Sequence, residues 1–158
     1  MSEAERRIPR PHHNFVPEYQ QSGIPHVETR TLPASANTAA LAAAIASYKF
    51  EFDSVTRWIE IHNHGQNANQ QHLRVYFNET AAKTAYEAAN DQDKHYFLID
   101  EESSTSRLEV KSKVVYLVPD IAAKTFKASV VAGLTSVKSE DFPDQTRANG
   151  FLGTEEAP

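Results

Sequence analysis

The chain has 158 residues, no cysteine and a formal charge of -5. That length suits one domain with a single core. The missing cysteine excludes disulfides and thiolate metal sites, and the absence of a Lys/Arg stripe makes nucleic acid an unlikely partner. No apolar run is long enough to cross a bilayer, so membrane insertion is not expected. The opening MSEAERRIPRPHHNF lacks the apolar middle of a secretory signal.

In chain order, residues 1–26 hold Pro9, Pro11, Pro17 and Pro25 and show no periodicity. Proline removes a backbone donor and blocks regular pairing, so this segment is expected to be an extended arm. A β core is expected over 27–138. Val27 to Leu32 is β-branched and short. TAALAAAIASY (Thr38 to Tyr48) places Leu41, Ile45 and Tyr48 at helical spacing behind Asn37, a candidate cap, which predicts a short helix, with strand pairing as the alternative. KFEFD alternates with Phe50 and Phe52 on one side.

VTRWIEIH (Val55 to His62) is expected to be a strand with Val55, Ile59 and Ile61 on one face and Thr56, Trp58, Glu60 and His62 on the other. Arg57 then shares the side of Val55 and Ile59, which predicts a place at the sandwich edge or an acidic partner. HLRVYF sets Leu73, Val75 and Phe77 against His72, Arg74 and Tyr76. Glu79 to Asn90 reads as a helical insert, with Ala82, Tyr86 and Ala89 on one face. HYFLID follows. RLEVKSKVVYLV gives the longest alternation, Leu108, Val110, Val114, Tyr116 and Val118 against Arg107, Glu109, Lys111 and Lys113. FKASVVAGL aligns Phe126, Ala128, Val130 and Ala132, and Thr135 to Val137 reads as a last short strand. Residues 139–158 are acidic and read as a loop and tail. About eight strands of this kind predict a mainly β protein, an antiparallel sandwich or barrel.

The chemistry-bearing residues are few. Glu60, His62 and His64 alternate on one strand face, with His72 beyond a polar connection, and imidazole and carboxylate suit zinc, iron or manganese. A sandwich with His-x-His is similar to the cupins, metal enzymes on a related barrel. This chain departs from their pattern: Thr56 stands where a glycine is needed, and Ala68 and Asn69 where a glutamate is needed. Polar strand-end residues are the expectation, with no metal, cofactor or catalytic residue assigned. Asp91 and Asp93 read as solvated turn residues. Trp58, Tyr76 and Tyr96 are candidate sugar-stacking platforms, the alternative being core packing. There is no Gly-rich phosphate loop and no nucleophile elbow.

The succession FDSVTRWIEIHN, LRVYFN, YFLID, RLEVKSKVVYLV, VVAGLTSV and FPDQTRANGF, from about Phe50 to Phe151, resembles the small single jelly-roll structural proteins of virus particles, the minor capsid, penton or decoration proteins of double-stranded DNA viruses and tailed phages. The resemblance implies a jelly roll and a non-enzymatic subunit, a homo-oligomer that docks onto a major capsid protein or other virion protein within a particle assembled in host cytoplasm. A Pro-rich arm, open sheet edges and the mixed charges Arg107, Glu109, Lys111 and Lys113 agree with such contacts.

Overall fold

The computed structural model describes residues 23–65, 72–86, 95–120 and 124–143. Two antiparallel sheets enclose one main core. The first has the order β1-β7-β3, from β1 (Ile24–Leu32), β7 (Phe126–Lys138) and β3 (Ser54–Asn63). The second has the order β2-β6-β4-β5, from β2 (Lys49–Glu51), β6 (Val114–Pro119), β4 (Leu73–Tyr76) and β5 (Phe97–Ile99). The protein is thus mainly β. The Pro-rich segment is shorter than expected at its inner end, because residues 24–26 belong to β1. Pro25 is tolerated there because β1 is an edge strand. Residues 1–22 and 144–158, and with them most of the predicted arm and tail, lie outside the described residues.

Period-two patterning is what places the core. Phe126, Ala128, Val130 and Ala132 of β7 are all buried, and they face Ile59 and Ile61 of β3 across the same sheet. From the second sheet come Phe50, Leu73, Val75, Val115, Leu117 and Ile99. β7 runs unbroken through Thr135–Val137, so the expected separate last strand is the end of this one.

β3 departs from simple alternation at its start. Register shifts between Ser54 and Trp58 mark a bulge, which reverses the side-chain phase. Val55 therefore leaves the side of Ile59 and packs in a second small cluster with Val137 and Phe142. Thr56, expected on the wet face, is fully buried. Its Oγ1 donates to the Val110 carbonyl at 2.8 Å and accepts from the Ser112 N–H at 3.0 Å. Arg57 reaches Glu109 at 3.3 Å, the acidic partner anticipated for it.

The long alternation from Arg107 to Val118 is only half a strand. Val114–Pro119 forms β6, while residues 103–112 run irregularly along the free edge of β3. They satisfy that edge through Asn63 N–H to Ser103 O, Thr105 N–H to Ile61 O and the reciprocal pair between Ile59 and Leu108, all at 2.8–2.9 Å. β6 is buried on both faces. Val115 and Leu117 point between the sheets, and Tyr116 points to a helical layer over the second sheet.

That layer comes from α1 (Thr38–Ala43), α2 (Ile45–Tyr48) and α3 (Glu79–Lys83). Asn37 caps α1 as anticipated, accepting from the Ala40 N–H at 2.9 Å, and Asn78 caps α3 in the same way. Leu41 and Tyr48 are buried, and the Tyr48 hydroxyl donates to the Pro33 carbonyl at 2.7 Å. Under α3, Tyr116 donates to Glu79 Oε2 at 3.1 Å and Tyr86 to the Pro119 carbonyl at 2.5 Å. Arg74 pairs with Asp120, donates to the Ala85 carbonyl and lies over the Tyr96 ring. Burial raises the phenols of Tyr86 and Tyr116 and pushes Tyr76 up to about 12, partly opposed by the Arg74 guanidinium.

Candidate functional site

The outer face of the first sheet carries the residues that the sequence singled out. Strand register sets them in rows. Trp58 lies opposite Gly133 and Pro25, Glu60 opposite Val131 and Val27, and His62 opposite Ser129 and Thr29. His64, just past β3, stays attached to β7, its N–H donating to the Lys127 carbonyl at 2.9 Å. The rings of His62 and His64 lie nearly parallel, 6.4 Å apart.

A chain of hydrogen bonds crosses all three strands here. His64 Nε2 is 2.6 Å from Ser129 Oγ, which is 2.7 Å from Thr29 Oγ1. A base that close to a hydroxyl is the geometry of an activated nucleophile. Ser129 is only 8% exposed, however, and its oxygen is also engaged by Thr29. The arrangement therefore ties β3, β7 and β1 together. Neither Ser129 nor Thr29 stood out in the sequence, because their pairing depends on register between distant strands.

Beside the histidines is an open cleft of about 210 Å³, lined by His62, Asn63, His64, Glu102, Ser103 and Ser104. Asn63 fixes its floor. The side chain is buried, donating to the Ile99 carbonyl at 3.2 Å and accepting from the Gly65 N–H at 3.0 Å, so it joins the end of β3 to β5. Gly65 has φ 58°, and a Cβ there would come 2.8 Å from Glu101 Cγ. Only glycine adopts that turn without strain.

The metal constellation does not assemble. Among the described residues, no group of three or more His, Cys, Asp or Glu side chains is placed to hold an ion. His72 is instead 3.0 Å from Asp100 Oδ1. The stacking platforms fare no better. Tyr76 is 1% exposed, which removes it as a sugar platform, and Tyr96 packs against it at 5.4 Å. Trp58 is half-buried with the Arg107 guanidinium 4.9 Å over its ring. That cation occupies a face on which a sugar would stack. Asp91 and Asp93 lie outside the described residues.

The surface also includes an edge. β1 is terminal in its sheet, and among the described residues nothing pairs with its outer side. Val27 is 70% exposed and Ile24 54%. On the other face of β1, His26, Glu28 and Arg30 point toward the core side and overhang β2. Glu28 pairs with Arg30, Arg30 lies over the Phe50 ring, and His26 meets the edge of Phe52. Charged residues pointing inward are a known way of restraining indiscriminate edge pairing.

Fold and surface together define a mainly β protein of two antiparallel sheets whose β1 edge is unpaired among the described residues and partly apolar. No known family, curated protein or solved structure matches the chain. No helix among the described residues is long and apolar enough to cross a membrane.

Proposed function

We propose that the sandwich is a single jelly roll and that the protein is a non-enzymatic structural subunit of a virus particle, a minor capsid, penton or decoration protein that associates with copies of itself and docks onto a major capsid protein. The observation that carries this reading is strand order. Counting the 103–112 segment as a sixth strand beside β3, the first sheet runs first–eighth–third–sixth and the second runs second–seventh–fourth–fifth. This order supports the jelly-roll reading, since a jelly roll winds two Greek keys around one core in that way. The site agrees with a binding role. Its polar groups are spent on holding strands together, as in the His64–Ser129–Thr29 chain, while apolar side chains on β1 remain uncovered.

The test is particle incorporation. Full-length protein is expected to co-sediment with assembled particles, and removal of residues 1–22 to leave a folded domain that no longer does so. The cut falls before β1, since β1 belongs to the sheet. Failure of the full-length chain to join particles would overturn the reading. Normal incorporation of the truncated chain would remove the arm from it.

A further inference from the structure

The open edge of β1 carries a sequence complementary to itself. Its outward row is Val27, Thr29 and Thr31, and its inward row is Glu28 and Arg30 with Leu32 beyond. Two copies of this strand running antiparallel about a two-fold axis at Thr29 bring Glu28 of each opposite Arg30 of the other. Val27 then lies opposite Thr31, and Thr29 opposite Thr29. Cross-strand pairs of opposite charge and of β-branched residues stabilise a ladder, and like charges directly opposite destabilise it.

Other symmetric registers lack this match. An axis at Glu28 sets glutamate against glutamate, and one at Arg30 sets arginine against arginine. An axis at Val27 leaves Arg30 opposite Ile24. The charges thus select one alignment. The prolines bound it: an axis at Thr29 puts Pro25 opposite Pro33, and neither has a donor to extend the ladder. Pro25 also orients the edge. A proline is accepted in an edge strand where its absent N–H would face outward, so Val27, Thr29 and Thr31, in step with it, present their N–H groups to the open side. The close Thr29–Ser129 side-chain pair fits that phase, since side chains approach most closely at positions whose backbones do not bond to each other.

We propose that the partner of this edge is a second copy of the chain, joined through β1 to β1 in the Thr29-centred register, so that the two β1-β7-β3 sheets become one continuous sheet. Pairing covers Val27, one of the exposed large apolar side chains among the described residues, and gives Glu28 and Arg30 a partner in the other copy besides each other. The inference rests on the reading of the protein as a self-associating subunit and gives that association a surface and a register.

Charge complementation tests it on the full-length chain. By sedimentation equilibrium, wild-type protein is expected to be dimeric. Glu28→Arg sets arginine opposite arginine at both crossings, and Arg30→Glu sets glutamate opposite glutamate. Each variant alone is expected to weaken the dimer about tenfold or more. Mixed one to one, the two variants restore arginine opposite glutamate at both crossings, and a heterodimer is expected. Thermal melting of each variant checks folding. Independently, the cysteine-free background allows single cysteines. Thr29→Cys is expected to crosslink into a covalent dimer on oxidation, whereas Val27→Cys, facing Thr31, is not. A monomeric wild type, a mixture no tighter than its components, or equal crosslinking at both positions would overturn the proposal. A monomeric wild type that still joins particles would overturn edge pairing and leave the virion reading standing. A dimer absent from particles would do the reverse.

Discussion

Tyr76 offers the sharpest test of the packing between the second sheet and its helical cover. The side chain is 1% exposed and its hydroxyl, beside Arg74, makes no hydrogen bond of good geometry among the described residues. A buried hydroxyl without a partner costs on the order of 1–3 kcal/mol. Tyr76→Phe keeps the ring and removes that cost, so at pH 7 it is expected to stabilise the protein by about 1 kcal/mol, or roughly 2–4 °C in Tm. A second effect appears at high pH. Burial raises the Tyr76 phenol from 10.0 to about 12. A raised folded-state value means the stability is fully present below pH 10 and is lost as pH rises toward 12. In that window the unfolded chain releases the proton and the folded protein keeps it, which costs about 1.4 kcal/mol per pH unit. Tyr86 and Tyr116, also raised by burial, steepen the same decline. Tyr76→Phe should therefore lose one proton's worth of slope between pH 10 and 12, making its advantage over wild type larger by about 2–3 kcal/mol at the upper end. Urea unfolding followed by circular dichroism at several pH values measures both effects, with tyrosinate absorbance as a check. A variant destabilised at pH 7, or one with an unchanged alkaline slope, would refute the reasoning.

Two further substitutions probe polar groups inside the fold. Thr56→Val preserves shape but leaves the Val110 carbonyl and the Ser112 N–H without their partner; a loss of about 2 kcal/mol, seen as a Tm lower by roughly 4–8 °C, is expected, and an unchanged Tm would mean that the 103–112 segment does not depend on this contact. Asn78→Ala removes the cap of α3, whose oxygen accepts from the Ala81 N–H at 3.1 Å; a cost of about 1 kcal/mol in chemical denaturation is expected, with Asn78→Asp retaining most of the stability, and equal loss in both variants would count against capping.

Much of the sheet structure was legible because its faces differ. β7 has Phe126, Ala128, Val130 and Ala132 on one side and exposed Lys127 on the other, and such a strand has one place to go. The helix at Thr38 was legible from its alanines and from Asn37. What escaped had other causes. Thr56 and Val55 changed sides, both ending buried, because a bulge inserts a residue, and nothing in VTRW announces it. The alternation from Arg107 to Lys113 is real, but hydrogen bonds to Thr56 and Thr105 side chains replace part of the ladder, so the segment is not a regular strand. Val115 and Leu117 were not singled out as core, because the alternation placed their neighbours Val114, Tyr116 and Val118 on the buried face; in the fold both faces of β6 are covered, Val115 and Leu117 lying between the sheets and Tyr116 under α3. The histidines of EIHNHG do share a strand edge, as spacing implied. Their use in fastening β3 to β7 depends on Ser129, sixty-five residues along the chain from His64.

The way 103–112 lies along β3 limits how the first sheet can grow. Hydrogen bonds from Asn63, Ile61 and Ile59 are already taken on that side by an irregular segment, so among the three regular strands of this sheet, and among the described residues, β1 is the one with an unpaired outer side. A contact between two identical margins uses both of them up. Strand addition through β1 alone would therefore stop at its first step, so a subunit held at high local concentration could meet its copies along this edge without polymerising through it.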